Sequence, residues 1–462
     1  MIPFYNAREP MRKTGAANEL IMLSSFTELL EGSLTAKANA VTIQNPSLVQ
    51  EKIIDNLIFQ AVFSKDEELK KESRMLIRQI AQSAGIYPAS INSIYRAIGQ
   101  GKIEHTFTVP ACNIRTLTYD TAQIVFDLAK TLQLGPVVFE IARSEIEYTD
   151  QKPDEYTVVV LAAAIKTGYK GPVFLQGDHY QLSKRRFKED PKLEINVIKK
   201  LIDESLKAQF YNIDIDASTL VNLEEKTIDL QQTDNYEVTA ELTYHIRKHQ
   251  PKDTIISIGA EIGHIGGKNS TPQDLQAFMD GYLSLIDEKE QNGIGKISVQ
   301  TGTSHGGIPL PNGKMADVKL DFNVIRKVGA VARKYTLGGV VQHGASTLPP
   351  ELFGEFPKNN TLEIHLATGF QNIVYDHMPD ALRKTMYQWI SDNLQKEREP
   401  DWSDEQFIYK CRKKALGPFK ENLWTLSQKE KQPILNELRK QFVFLFEKLQ
   451  ITQKRKIIDK YA

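Results

Sequence analysis

Apolar residues follow two regimes along the chain. Up to about residue 104 they recur at helical spacing, in 20–30, 49–63 and 68–83, with few β-branched runs, which predicts a helical N-terminal region. From His105 the pattern changes to short apolar runs, most of them rich in β-branched residues, each followed by a polar turn and a helical stretch. That alternation predicts βαβ units and a parallel sheet. The runs fall at 106–111, 137–141, 173–175, 211–215, 255–261, 296–300, 337–342 and 362–367, eight in all. Helical patterns lie between them at 118–132, 156–166, 193–208, 235–249, 271–288 and 321–334, and one follows at 378–394; only 348–354 is short for a helix. Eight repeats predict an α/β fold, the (β/α)8 TIM barrel, in preference to an open sheet. After residue 399 the chain is highly charged with helical spacing, and Trp402, Trp424 and 434–449 supply an apolar face. The expected organisation is a helical region over 1–104, a barrel over 105–398 and a C-terminal helical extension over 399–462.

Composition narrows the partners. The 462 residues are 41% hydrophobic and 25% charged, ordinary for a globular protein with a sizeable core. Lys plus Arg and Asp plus Glu both number 58, so no cationic excess exists to neutralise a phosphate backbone, and nucleic acid is not an expected partner. Cys112 and Cys411, the only two cysteines, lie far apart without CxxC spacing, which points to reduced thiols. The first residues lack an apolar core of the signal-peptide kind, and the longest apolar run, 158–165, is too short for a membrane span. No membrane association is expected, and the expected location is the cytoplasm.

A barrel of this kind places its chemistry where the strands end, at their carboxyl edge. The third run ends in LQGDH with Asp178 and His179, and the fourth in IDIDAS with Asp216 and Ser218. The fifth ends in GAEIGHIGG with Glu261 and His264, the sixth in QTGTSHGG with His305, and the seventh in VVQHGAST with His343. Any one histidine at a strand end is more often a hydrogen-bonded structural residue than a ligand. The conjunction changes that weighting: His179, Glu261, His305 and His343 on separate strands suit a borderline divalent ion such as zinc in an open site. Glycine-rich turns follow His305 (GGIP) and His343 (GAST) and occupy Ala367 to Gly369 (ATG). Such turns let backbone N–H groups face an anion at the loops where barrels commonly bind phosphate, although glycine also serves tight turns alone. The tract SKRRFKEDPK at 183–192 has balanced signs and reads as a solvated face.

Taken in order, TVPACNIR, GPVVFEIA, GPVFLQGDH, IDIDAS, GAEIGHIGG, TGTSHGG, KLDF, VVQHGAS and EIHLATG resemble the class II, metal-dependent fructose-bisphosphate aldolases and their tagatose-bisphosphate relatives, over roughly 105–395. The resemblance implies that His179, His305 and His343 with Glu261 hold a divalent metal, zinc first, with a monovalent cation as a second ion. It implies that Asp178 is the acid/base at the C4 hydroxyl of a phosphorylated sugar. Asn113, Asp216 and Ser218 match polar positions around substrate and metal, and Gly306, Gly344, Ser346 and Thr368 match phosphate-binding loops. The implied reaction is reversible cleavage of a ketose such as fructose 1,6-bisphosphate to dihydroxyacetone phosphate and an aldehyde. A homo-oligomer is expected, with the extensions mediating contacts or covering barrel surface.

The chain also departs from the family pattern. Lys268, Asn269 and Ser270 follow IGG where acidic residues are usual, with His264 as a candidate replacement. Gly307, Ile308 and Pro309 with a longer loop carrying Lys314 stand where an aromatic and a lysine are frequent. His365 stands in place of an asparagine, either bonding a substrate hydroxyl or packing, and Gly369 replaces an acidic residue. Two alternatives stand beside the aldolase: a noncatalytic barrel subunit supporting a tagatose-bisphosphate aldolase, and a metal-assisted hydrolase.

Overall fold

The computed structural model describes residues 34–37, 40–263, 268–286, 293–302 and 320–462. Eight parallel strands close into a barrel with helices between them. They are β1 (Val109–Asn113), β2 (Val138–Ala142), β3 (Gly171–Gln181), β4 (Asn212–Asp216), β5 (Ser257–Glu261), β6 (Lys296–Val299), β7 (Val340–Gln342) and β8 (Thr361–Leu366). Each pairs with the next, and β8 returns to β1 through Glu363 opposite Val109. Strands of this kind are buried on both faces, which is why their sequences are apolar runs rather than alternations. The eight expected runs coincide with these strands to within a few residues. The short 348–354 stretch forms a 3₁₀ turn (Pro350–Leu352) and leads into a one-turn helix, Glu355–Lys358.

The N-terminal segment is less uniformly helical than its pattern suggests. A hairpin pairs Leu34–Lys37 with Ala40–Ile43, and a strand Ile86–Ala89 lies parallel to the first half of β3. Because β4 pairs with β3 only from Gln176 onward, this added strand occupies an edge that the barrel itself leaves open. The helix expected over 20–30 lies outside the described residues. Helices Ile54–Phe63 and Glu67–Ser83 pack on α1 (Pro153–Thr167), and Arg74 and Arg78 pair with Asp154 at 2.9 and 2.7 Å. This explains the long apolar run at 158–165: α1 lies between the sheet and the N-terminal helices and is covered all round. Among the described residues no helix is long and apolar enough to cross a membrane.

At the other end, α2 (Gln428–Lys448) packs on the helix Thr118–Thr131 and on α3 (Thr368–His377). Phe442 stacks on Phe370 with ring centroids 4.6 Å apart, and the buried Lys431 ammonium pairs with Asp120 at 2.9 Å. The backbone then ties into the barrel, with Thr108 N–H donating to Leu449 and Gly135 N–H to Ile451. One continuous apolar core runs from Val41 to Ile458. Phe442→Ala should therefore destabilise the whole chain by about 3–5 kcal/mol, the usual loss for a buried phenyl ring. Denaturant unfolding followed by near-UV and far-UV circular dichroism should keep coincident transitions; an early, separate loss of the C-terminal helix would contradict a shared core.

Candidate active site

The strand ends converge as the alternation requires. On β3 the pairing register slips between Gly177 and Tyr180, and His179 takes a left-handed backbone conformation with φ of 41°. A β-carbon on Gly177 would lie 2.3 Å from the Tyr180 ring, so the glycine lets Tyr180 fold back against its own strand. The bulge turns both Asp178 and His179 toward the barrel mouth, and a non-glycine left-handed residue at such a place is the kind of strain found at functional sites.

His179 Nδ1 lies 3.0 Å from Asp216 Oδ2 and 3.2 Å from Glu261 Oε2. Its ring centroid is 4.0 Å from that of His343, whose Nε2 sits 2.9 Å from Ser298 Oγ and 4.0 Å from Glu261 Oε2. Asp216 is fixed by Ser218, whose N–H and hydroxyl donate to one of its oxygens at 3.1 and 2.7 Å, and by Gln181 on the other at 2.6 Å. Asp178 receives Asn113 Nδ2 on one oxygen and His365 Nδ1 on the other, both at 3.1 Å. Thus Asp178, His179, Asp216, Glu261, His343 and His365, with Asn113 and Ser218, form one cluster. His305, Gly306 and His264 lie outside the described residues. Gly344 opens the loop after β7 with φ of 68°. Ser346 Oγ accepts from Gly369 N–H at 3.1 Å, joining the loops after β7 and β8. The glycine at 369 is steric in origin, since a β-carbon there would lie 2.5 Å from the Ser346 carbonyl oxygen. Lys268 is exposed, whereas Ser270 is buried and accepts from Gln300 N–H at 2.9 Å, fastening the loop after β5 to the end of β6.

Beneath this cluster the barrel interior is charged, a feature the sequence reading missed. Glu140 of β2, Asp214 of β4, Lys296 of β6 and Glu363 of β8 are all buried. Lys296 Nζ contacts Asp214 at 2.9 Å, pairs with Glu363 and donates to Gln176 at 2.8 Å. Tyr95 also donates to Glu363. His365 Nε2 donates to Glu363 at 2.6 Å, while its Nδ1 lies 3.2 Å from Glu140. The missed signal was a charge inside an apolar strand, as in VVFEIA, GKISV and LEIHL; a buried charge needs a partner or a purpose. A β-carbon on Gly259 would sit 2.3 Å from Asp214 Oδ1 and 2.8 Å from Lys296 Cε, so this glycine makes room for the ion pair.

Among the described residues, six carboxyl groups, Glu140, Asp178, Asp214, Asp216, Glu261 and Glu363, thereby face one lysine and three imidazoles, His179, His343 and His365. Burial opposes positive charge on His179 and His365, but Asp178 with Glu261, and Glu140 with Asp178, outweigh it and raise both imidazoles well above their usual range. Burial, helped by Asp216, pushes Glu261 up to about 7, and burial lifts Asp214 to about 6 against the pull of Lys296. Burial also opposes ionisation of Glu363, yet Lys296 and His365 bring it down to about 2. Among the described residues, shared protons and Lys296 thus balance an anionic pocket. That charge deficit, with His179 and His343 beside Glu261 and Asp178, fits a divalent cation with nitrogen and oxygen ligands.

A family model described as fructose-bisphosphate aldolase class-II matches residues 95–426, and the chain belongs to that family, a family of metal-dependent lyases. Among solved structures, a Sinorhizobium meliloti 1021 protein described as a probable tagatose 6 phosphate kinase aligns with a TM-score of 0.53 at 12% identity, over 74% of this chain and 100% of that one. The YdjI aldolase of Escherichia coli K12 gives 0.42 at 15% identity, over 74% and 99% of the two chains. The fructose-bisphosphate aldolase of Campylobacter jejuni gives 0.46 at 14% identity, over 80% and 96%. No curated protein matches the chain.

Two outcomes test the electrostatic account. Lys296→Met should cost about 3–5 kcal/mol in a denaturant titration, because two buried carboxylates lose their cation; a second change, Glu363→Gln, should recover part of it. Metal affinity of the metal-free protein should climb as pH rises through about 7, where Glu261 loses its proton and ceases to compete. A competition titration against a chelator at several pH values measures this, and a flat profile contradicts it.

Proposed function

We propose that this lyase reversibly cleaves a phosphorylated ketose, fructose 1,6-bisphosphate or a close analogue, to dihydroxyacetone phosphate and an aldehyde. The observation that carries the reading is Asp178. It stands beside the His179, Glu261 and His343 cluster, and each of its oxygens takes a separate hydrogen bond. His179, Glu261 and His343, with His305, which follows β6 in the sequence, would hold a divalent ion, zinc being the first choice for that donor set. When bound, the ion supplies Lewis acidity at the ketose C2 oxygen.

The remaining steps belong to the side chains. Asp178 takes the proton of the C4 hydroxyl; as the C4 carbonyl forms, the C3–C4 bond breaks and its electron pair remains on the three-carbon fragment as an enediolate. Asn113 and His365 fix the direction of the Asp178 carboxylate. Burial opposes its negative charge, but His179 and His365 outweigh it and hold Asp178 well below the usual carboxylate range, so it enters the reaction as a base. Asp216, gripped by Ser218 and Gln181, orients the His179 ring through Nδ1. His365, in the place of the family's asparagine, bonds Asp178 and Glu363 together, which supports a role in holding the base.

Incubating the metal-loaded protein with fructose 1,6-bisphosphate and tagatose 1,6-bisphosphate should yield triose phosphate in a coupled assay. Release of inorganic phosphate instead would favour a metal-assisted hydrolase, and no turnover would favour a noncatalytic subunit. Asp178→Ala should retain the wild-type metal content while kcat falls by about 10²–10⁴, the range for loss of a general base. Metal loss with unchanged single-turnover chemistry would assign Asp178 to binding instead.

A further inference from the structure

The strand ends of β8, β1 and β2 carry a second charged group beside Asp178. Arg115, two residues beyond Asn113, lies 2.7 Å from Glu145 through Nε. Its Nη1 lies 3.0 Å from Gln371 Oε1 and 3.3 Å from the Thr368 hydroxyl at the start of α3. Glu145 also accepts from Asn113, so the guanidinium sits two hydrogen-bonded residues from Asp178. Against the same spot the C-terminal segment places a short turn, Arg412–Ala415. Gly417 N–H donates to Tyr148 at 3.0 Å, and a β-carbon on Gly417 would lie 2.7 Å from the Tyr148 carbonyl oxygen. The turn is thereby pressed onto the helix Arg143–Thr149, with Lys413 Nζ 5.5 Å from the Tyr148 ring centroid.

The charges here do not cancel. Lys414 pairs with Glu397, and Arg412 donates to Asn372 while lying over Tyr375 and Tyr409. The carboxylate acting on Lys413 is Glu145, which Arg115 already holds. Burial first, and the Arg115 guanidinium next, push the Lys413 ammonium below its ordinary value, the mark of a cation short of an anion. Glu145 thus faces two cations, with Asp178 acting on Arg115 alone, beside the amino end of α3, a ten-residue helix whose dipole favours negative charge.

We propose that Arg115 and Lys413 bind a phosphate group of the substrate, so that the C-terminal segment contributes a cation to substrate recognition. Arg115 supplies a planar donor that is always charged, and Lys413 a second charge that balances a dianion. The Thr368 hydroxyl and the loop carrying Ser346 lie alongside. The identity of the sugar rests on the aldolase reading; the anion site does not.

The test uses the full-length, metal-loaded protein and inorganic phosphate as the probe, with binding measured by calorimetry. Lys413→Gln and Arg115→Gln should each weaken phosphate binding about tenfold, the scale of one charge-assisted contact, whereas Lys414→Gln should leave it unchanged. With fructose 1,6-bisphosphate, Lys413→Gln should raise KM about tenfold, more than it lowers kcat, the signature of lost ground-state binding. If phosphate affinity and KM are the same in Lys413→Gln as in the wild type, the proposal is overturned, whether or not Arg115→Gln folds. If phosphate binding falls in the variants while the wild type cleaves no ketose phosphate, the anion site stands and the aldolase reading fails.

Discussion

Among the described residues, six buried carboxyl groups face one lysine and three imidazoles inside this barrel, and much of the site follows from that imbalance. A parallel barrel interior is ordinarily filled by branched apolar side chains. Here the interior is instead a lattice of ion pairs running from Lys296 through Glu363 and His365 up to Asp178 at the mouth. Such a lattice is costly to bury, and replacing it with apolar residues would often improve stability, so its retention points to a task other than folding. The task consistent with its sign is to attract a divalent ion and to hold a base in register beside it.

The same imbalance separates the roles of chemically identical groups. Asp178 and Glu261 are both buried carboxyls at strand ends, yet one lies well below its usual range and the other is pushed up to about 7. Two imidazoles outweigh the burial of Asp178, whereas Asp216 compounds the burial of Glu261. A carboxylate held ionised is suited to receive a proton from substrate, and one that shares its proton readily is suited to yield to a cation.

The barrel was legible because its strands are apolar on both faces and its helices carry an apolar stripe, so eight alternations could be counted directly from the chain. Strand ends were legible for the same reason: Asp178, His179, Asp216, Glu261 and His343 each follow an apolar run at once, and topology brings them together. What was not legible depends on packing between distant segments. Glu140, Lys296 and Glu363 have partners on other strands, up to 225 residues away for Glu140 and His365, so no local pattern marks them. The Ile86–Ala89 strand is only four residues long, too short to show a period, and exists because β3 outruns β4. Gly369 seemed a lost acidic residue, but the contact with Ser346 leaves no room for a side chain.

The C-terminal segment reaches the mouth of the barrel by two separate physical routes. Through packing, Phe442 stacks on Phe370, the third residue of α3, and so sets the position of the helix end where Thr368 and Gly369 lie. Through charge, the Arg412–Ala415 turn is clasped to the helix after β2 and holds Lys413 close to Arg115. Removing the segment would alter both at once and would not separate them. The two routes differ in what they depend on: packing governs whether α3 is placed, and added salt affects it little, whereas an ionic contact with substrate weakens as counterions screen it. A site that relies on Lys413 therefore acquires an ionic-strength dependence that a site built from backbone N–H groups and hydroxyls alone would show only weakly.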